Sequence, residues 1–134
     1  MRPTHVLVAD DSRTLRTHVR RTLIEAGFEV EIAEDGIQAL QRIRECCPAV
    51  AIVDINMPGT DGFGVLGSLK AMGHPFDELP IILLTRDQSQ ALETLGAQVG
   101  AFLHKPVSPR VLVETVANLT TNEHWKPAGN FSTI

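Results

Sequence analysis

Long apolar runs are missing from this sequence. Setting glycine aside, the longest unbroken one is Ala49 to Val53, whereas a membrane-spanning helix needs about 20 such residues. No span is expected. The N-terminus lacks the short apolar core of a secretion signal, so the expected address is the cytoplasm. A basic surplus is missing too: Lys and Arg number 12 against 16 Asp and Glu, a net charge of −4. Nucleic-acid-binding domains usually carry a positive excess, so direct DNA or RNA binding is not expected. Cysteine is scarce. Cys46 and Cys47 are adjacent, an arrangement poorly suited to disulfide geometry, and they read as reduced thiols. With no histidine near them in sequence they lack the spacing of a metal site. The plain reading is a helix end closed by Pro48.

Several catalytic signatures are absent. There is no GxxxxGK[ST] or GxGxxG stretch for a nucleotide and no GxSxG elbow for a serine nucleophile. What is present is an alternation. Short aliphatic runs at His5–Ala9, Phe28–Ala33, Ala49–Asp54, Pro80–Thr85 and Ala101–His104 are separated or followed by amphipathic stretches near 12–26, 36–46, 62–72, 88–98 and 109–120. Such alternation predicts βαβ units around a parallel sheet, an α/β fold. At 134 residues the chain has room for one domain, expected over residues 1–120. Residues 121–134 read as a C-terminal tail or linker stub.

Local signals support the helices. Leu15, Val19 and Leu23 make one apolar stripe, and Gly27 follows where a helix-ending glycine would sit. Asp35 and Ser108 are suited to cap helix N-termini, the latter with Pro109 in the first turn. Gly62, Gly64 and Gly67 weaken the third helix by about 1 kcal/mol each if they are interior. Among the strands, Val6–Ala9, Ala49–Val53 and Ile81–Leu84 are continuously apolar, as in strands covered on both faces. Phe28–Ala33 alternates with Glu29 and Glu31, which suits an edge.

Ligands of open parallel sheets bind at the carboxyl ends of the strands. Those ends carry Asp10-Asp11, Asp54 with Asn56, Thr85, and His104-Lys105-Pro106. Three carboxylates and one ammonium leave two negative charges. At an effective dielectric of ~20, two like charges ~4 Å apart repel by ~4 kcal/mol. Either a carboxylate is protonated or a divalent cation is held. Hard oxygen ligands suit Mg²⁺, and a carboxylate flanked by a lysine and a hydroxyl is arranged for phosphoryl transfer. A flavodoxin-type phosphate loop would be less acidic than Ala9-Asp10-Asp11-Ser12-Arg13. An aspartate-nucleophile phosphatase would place an aspartate where Ser12 stands.

The segments Val8–Ser12, Asp35–Leu40, Asp54–Gly62, Thr85 and Gly100–Pro106 together resemble the response-regulator receiver domain. The resemblance covers roughly residues 4–120. It implies a single doubly wound (βα)5 domain, flavodoxin-like or CheY-like, with a five-stranded parallel sheet of order 2-1-3-4-5. It implies phosphorylation of Asp54 by a histidine kinase or histidine phosphotransfer protein, with the chain catalysing no reaction other than its own phosphotransfer and dephosphorylation. Asp11, Asp54 and the Asn56 carbonyl would ligate Mg²⁺, with Asp10 acting largely through water. Thr85 would bond the phosphoryl group and Lys105 would pair with it. Pro106 would follow a cis bond. Thr85 and Phe102 would form the switch that alters a surface for a downstream target, whose identity the sequence does not encode.

Some readings stay open. Phe102 is either a switch or plain core. Arg13, Arg16 and Arg20 are either a solvated helix face or a kinase-docking surface. The residue after the switch threonine is small in most of the family and is Arg86 here, expected to overhang the phosphoryl pocket. The competing function is a degenerate receiver, a phosphorylation-independent interaction module.

Overall fold

The computed structural model describes residues 4–86 and 100–121. Its strands are β1 (His5–Ala9), β2 (Glu29–Ala33), β3 (Val50–Asp54), β4 (Ile81–Thr85) and β5 (Gly100–His104). Its helices are α1 (Arg13–Glu25), α2 (Gly36–Cys46), α3 (Gly62–Met72) and α4 (Pro109–Thr121), with a short 3-10 turn at Phe76–Glu78. The expected helix at 88–98 and the tail beyond 121 lie outside the described residues. All strand pairs are parallel and the order is β2-β1-β3-β4-β5, the doubly wound arrangement that the resemblance implied.

Two aliphatic clusters hold the layers together. Leu7, Ala9, Val53 and Leu83 point to one face and meet Ala39 and Ile43 of α2 and Val65 and Leu69 of α3. Val6, Val8, Ile52, Ile82 and Leu84 point to the other and meet Val19 and Leu23 of α1 and Leu112 and Val116 of α4. Alternate residues of a strand face opposite ways, so continuous apolar strands serve both layers. Each large aliphatic side chain buried this way contributes roughly 1.5–3 kcal/mol.

Caps set where the helices begin. Ser12 Oγ accepts from the Leu15 amide at 3.2 Å, Asp35 Oδ1 from Gln38 at 2.8 Å and Asp61 Oδ1 from Gly64 at 2.8 Å. Each satisfies an amide that has no partner within its helix. Ser108 Oγ accepts from Val111 at 3.4 Å, a longer contact at the α4 start. Gly27, at φ +100°, turns the chain out of α1.

Four local expectations gain detail or need correction. Gly62 is the first residue of α3, where a Cβ would lie 2.8 Å from the Asp54 carbonyl oxygen and 2.9 Å from Ile55 Cα. It allows a close approach at the end of β3 and is not an interior defect. The end of α2 just before Pro48 is as expected, and Cys47, in the left-handed region at φ 47°, makes the turn there. On β2 the face bearing Glu29 and Glu31 ends in fully buried Ala33, whereas Ile32 on the opposite face is exposed. The edge position is right, but α2 covers the face that looked polar. Arg16 is the fourth: it is buried and shares its side of α1 with Val19 and Leu23, so the three arginines do not form one solvated face.

Candidate functional site

Parallel strands all end at one edge of the sheet, so β1, β3, β4 and β5 deliver their C-terminal residues to one place. Asp10 follows β1 and is fully buried. Asp54 ends β3 and is 3% exposed. Thr85 ends β4 and is also buried. Lys105 follows β5, and its Nζ lies 3.2 Å from Asp10 Oδ2 and 3.1 Å from Asp54 Oδ1. One ammonium therefore bridges two buried acids. Its amide also donates to the Thr85 carbonyl at 2.8 Å, which continues the β4–β5 ladder one step past the strand.

Asp10 is held on every side. Its own amide donates to Ala33 O, its Oδ1 accepts from the Ser12 amide at 2.8 Å, and its carbonyl accepts from Arg16 Nη1 at 2.7 Å. Arg16 was not singled out as a site residue from sequence. The available signal was position: Arg16, Val19 and Leu23 fall at i, i+3 and i+7, one helix face.

Asp11 is exposed beside the pair. One carboxylate oxygen each from Asp10, Asp11 and Asp54 lies within 4.8 Å of the others, so these three could hold a cation. Asn56 is exposed, and its amide donates to Asp54 Oδ1 at 3.3 Å. The Asp54 carboxyl is raised above its ordinary value. Burial is the main cause and the Asp10 charge the next, while Lys105 and the Asn56 amide pull the other way without cancelling them. The interior thus disfavours a second negative charge at this point.

Thr85 pairs with His104 and Leu83 with Phe102 across β4 and β5. Thr85 and Phe102 therefore share a sheet face, two residues apart along the strands. Phe102 is partly buried and packs against the cluster that contains Leu83. The Lys105–Pro106 bond is cis, and so is His74–Pro75, which the sequence did not suggest. Arg86 is exposed and lines an open groove of about 630 Å³ with Thr14, Leu15 and His18 of α1 and with Lys105 and Pro106. The groove runs along α1 and shares Lys105 with the acidic cluster.

Comparison with known proteins agrees with this geometry. The family model for the response regulator receiver domain matches residues 6–117. The response regulator MprA of Mycobacterium sp. strain KMS is 37% identical over 117 residues, which are 87% of this chain and 49% of that protein. The same regulator of Mycolicibacterium vanbaalenii is also 37% identical over 117 residues, with the same coverage of each chain. The chain spans about half the length of these curated relatives. Among solved structures, the chemotaxis protein CheY4 of Vibrio cholerae superposes with a TM-score of 0.81 at 34% identity, over 88% of this chain and 99% of that one. The receiver domain of a Syntrophus aciditrophicus signal transduction histidine kinase gives 0.81 at 26% identity, over 95% and 97%. With the strand order, the acid cluster and the bridging lysine in place, the chain belongs to the response-regulator receiver domains of two-component signalling.

Proposed function

We propose that Asp54 accepts a phosphoryl group from a phosphorylated histidine of a kinase or histidine phosphotransfer protein, and that this changes a surface read by a downstream protein. The observation that carries the reading is the buried Asp10–Asp54 pair bridged by Lys105. Buried charges with incomplete compensation are costly as mere packing. They suit phosphoryl transfer, where the protein supplies position and charge balance.

In the transfer, a carboxylate oxygen of Asp54 attacks phosphorus. The new P–O bond forms as the P–N bond to the donor histidine breaks, and the ring nitrogen leaves with the electron pair. Lys105 carries three N–H donors, so it can pair with the incoming phosphoryl oxygens while keeping Asp10. Arg16 fixes the Asp10 carbonyl and so keeps the β1–α1 turn in place. The Thr85 hydroxyl donates to a phosphoryl oxygen.

The donor set fits Mg²⁺: hard carboxylate oxygens, close together and in negative excess. Asp11, Asp54 and the Asn56 carbonyl would hold it directly. Both Asp10 oxygens already accept hydrogen bonds, which supports a role for Asp10 through water. When bound, the ion neutralises charge on the phosphoryl oxygens.

The shared face of Thr85 and Phe102 supports the switch. As the threonine moves toward the phosphoryl group, the half-buried ring beside it has a place to enter, so packing and switching are two states of one side chain. Labelling with acetyl phosphate tests the reading. Wild type should incorporate phosphate only with a divalent cation, and Asp11→Ala should need about tenfold more Mg²⁺ or greater. An identical Mg²⁺ dependence in the two proteins contradicts the assignment. In Thr85→Ala, phosphorylation should occur but the amide signals around Phe102 should shift little. A wild-type response there would show that the coupling bypasses Thr85.

A further inference from the structure

Three donors of a different chemical kind meet at the opposite edge of the sheet. His5 opens β1, Glu31 lies in the middle of β2, and Cys46 is the last residue of α2. In the ladder His5 is paired with Glu29 and Leu7 with Glu31, so His5 and Glu31 are diagonal neighbours on one sheet face. That face is the one α2 covers, and Cys46 follows the buried Ile43 by three residues, on the same helix side. His5 Nε2 and Glu31 Oε2 are 3.6 Å apart. One ligand atom from each of the three residues lies within 4.8 Å of the others, and all three residues are half-buried.

The 3.6 Å separation is informative. It is too long for a good hydrogen bond. Two ligand atoms each ~2.1 Å from a tetrahedral ion stand ~3.4 Å apart, so the imidazole and carboxylate already have nearly that spacing. The donor set of nitrogen, sulfur and oxygen is one that Zn²⁺ takes, usually with water in an open fourth position, and one that Mg²⁺ does not favour. His74, Asp77 and Glu78 also cluster, but they sit within one short stretch and include no sulfur.

We propose that His5, Glu31 and Cys46 form a zinc site, with water as the fourth ligand. On loading, the Cys46 S–H bond gives way to an S–Zn bond and the proton leaves to solvent, so no electron changes hands. Five residues of β1 at ~3.3 Å each put His5 roughly 16 Å from Asp10, so this site and the acidic cluster load independently. Bound metal would tie β1, β2 and the end of α2 together at the edge remote from Asp54. Cys47 is not part of this cluster: it is exposed, and its thiol donates to the Arg44 carbonyl at 3.9 Å.

The test is titration of the reduced, metal-stripped full chain with Co²⁺ and then Zn²⁺, with excess Mg²⁺ present to occupy the acidic cluster. One cobalt per chain should bind with a thiolate-to-cobalt charge-transfer band, which zinc should displace. The band should vanish in Cys46→Ser and persist in Cys47→Ser and His74→Ala. Zinc affinity should fall about tenfold or more in His5→Gln and in Glu31→Gln. These substitutions lie outside the two aliphatic clusters, and a far-ultraviolet spectrum checks that the fold is retained. Absence of the band in wild type, its survival in Cys46→Ser, or zinc binding that requires His74 would each overturn the proposal.

Discussion

The two ends of β1 each set a base beside an acid, in opposite surroundings. At the carboxyl end, Lys105 meets Asp10 and Asp54 at 3.2 and 3.1 Å, with side-chain exposures of 13%, 0% and 5%. At the amino end, His5 and Glu31 stand 3.6 Å apart with exposures of 29% and 40%. Water screens the second pair, whose worth is on the order of 0–1 kcal/mol without metal. It screens the first far less, and each group there depends mainly on its protein neighbours for compensation. A base beside an acid is therefore close to neutral for stability at one end of a strand and strongly interacting at the other. Burial decides which.

Removing the bridging cation should break the comparison most severely. Lys105→Ala leaves two buried carboxylates without it, and loss of one partner from a buried pair costs ~3 kcal/mol or more. In chelator at neutral pH the melting temperature should drop, and added Mg²⁺ should restore part of the loss. An unchanged melting curve would mean that the lysine is not compensating those charges. Arg16→Met should have the next largest effect. It deletes a charged hydrogen bond to the buried Asp10 carbonyl, worth ~1.5–3 kcal/mol, and denaturant unfolding should show it.

A pH series sharpens the contrast further. Because burial and then Asp10 raise the Asp54 carboxyl, the folded chain binds that proton more tightly than the unfolded chain does. Its stabilising contribution is full below the ordinary carboxylate value and is lost as pH rises through the raised one. In chelator, Asp54→Asn should therefore be more stable than wild type at neutral pH. The gap should close as the solution is acidified through that window, and Mg²⁺ should narrow it from the other side. A pH-independent gap would place its origin elsewhere. At the other end of β1, His5→Gln in metal-free protein should change stability by no more than ~1 kcal/mol. A larger loss would show that exposure misjudges that pair.

The difference between the two ends also explains what the sequence revealed. The acidic cluster was legible because each member ends a recognisable strand or follows it within two residues, and parallel topology sends all those ends to one edge. Asp35 and Ser108 were legible as caps because their signal is local. Arg16 was not, because an arginine one residue after Leu15 reads as polar surface until the Asp10 carbonyl is seen to need a donor. Gly62 reads as a helix breaker until β3 is seen to crowd it. His5, Glu31 and Cys46 are far apart in the chain, and no spacing rule joins them. Only strand register and the path of α2 do.

The central claim is that Asp54 is the phosphoacceptor, and intact-mass measurement after exposure to acetyl phosphate and Mg²⁺ tests it most directly. Wild type should gain the mass of one phosphoryl group, and Asp54→Asn, folded by the same spectroscopic criteria, should gain none. A phosphoryl adduct on Asp54→Asn, or no adduct on wild type in saturating donor, would contradict the account.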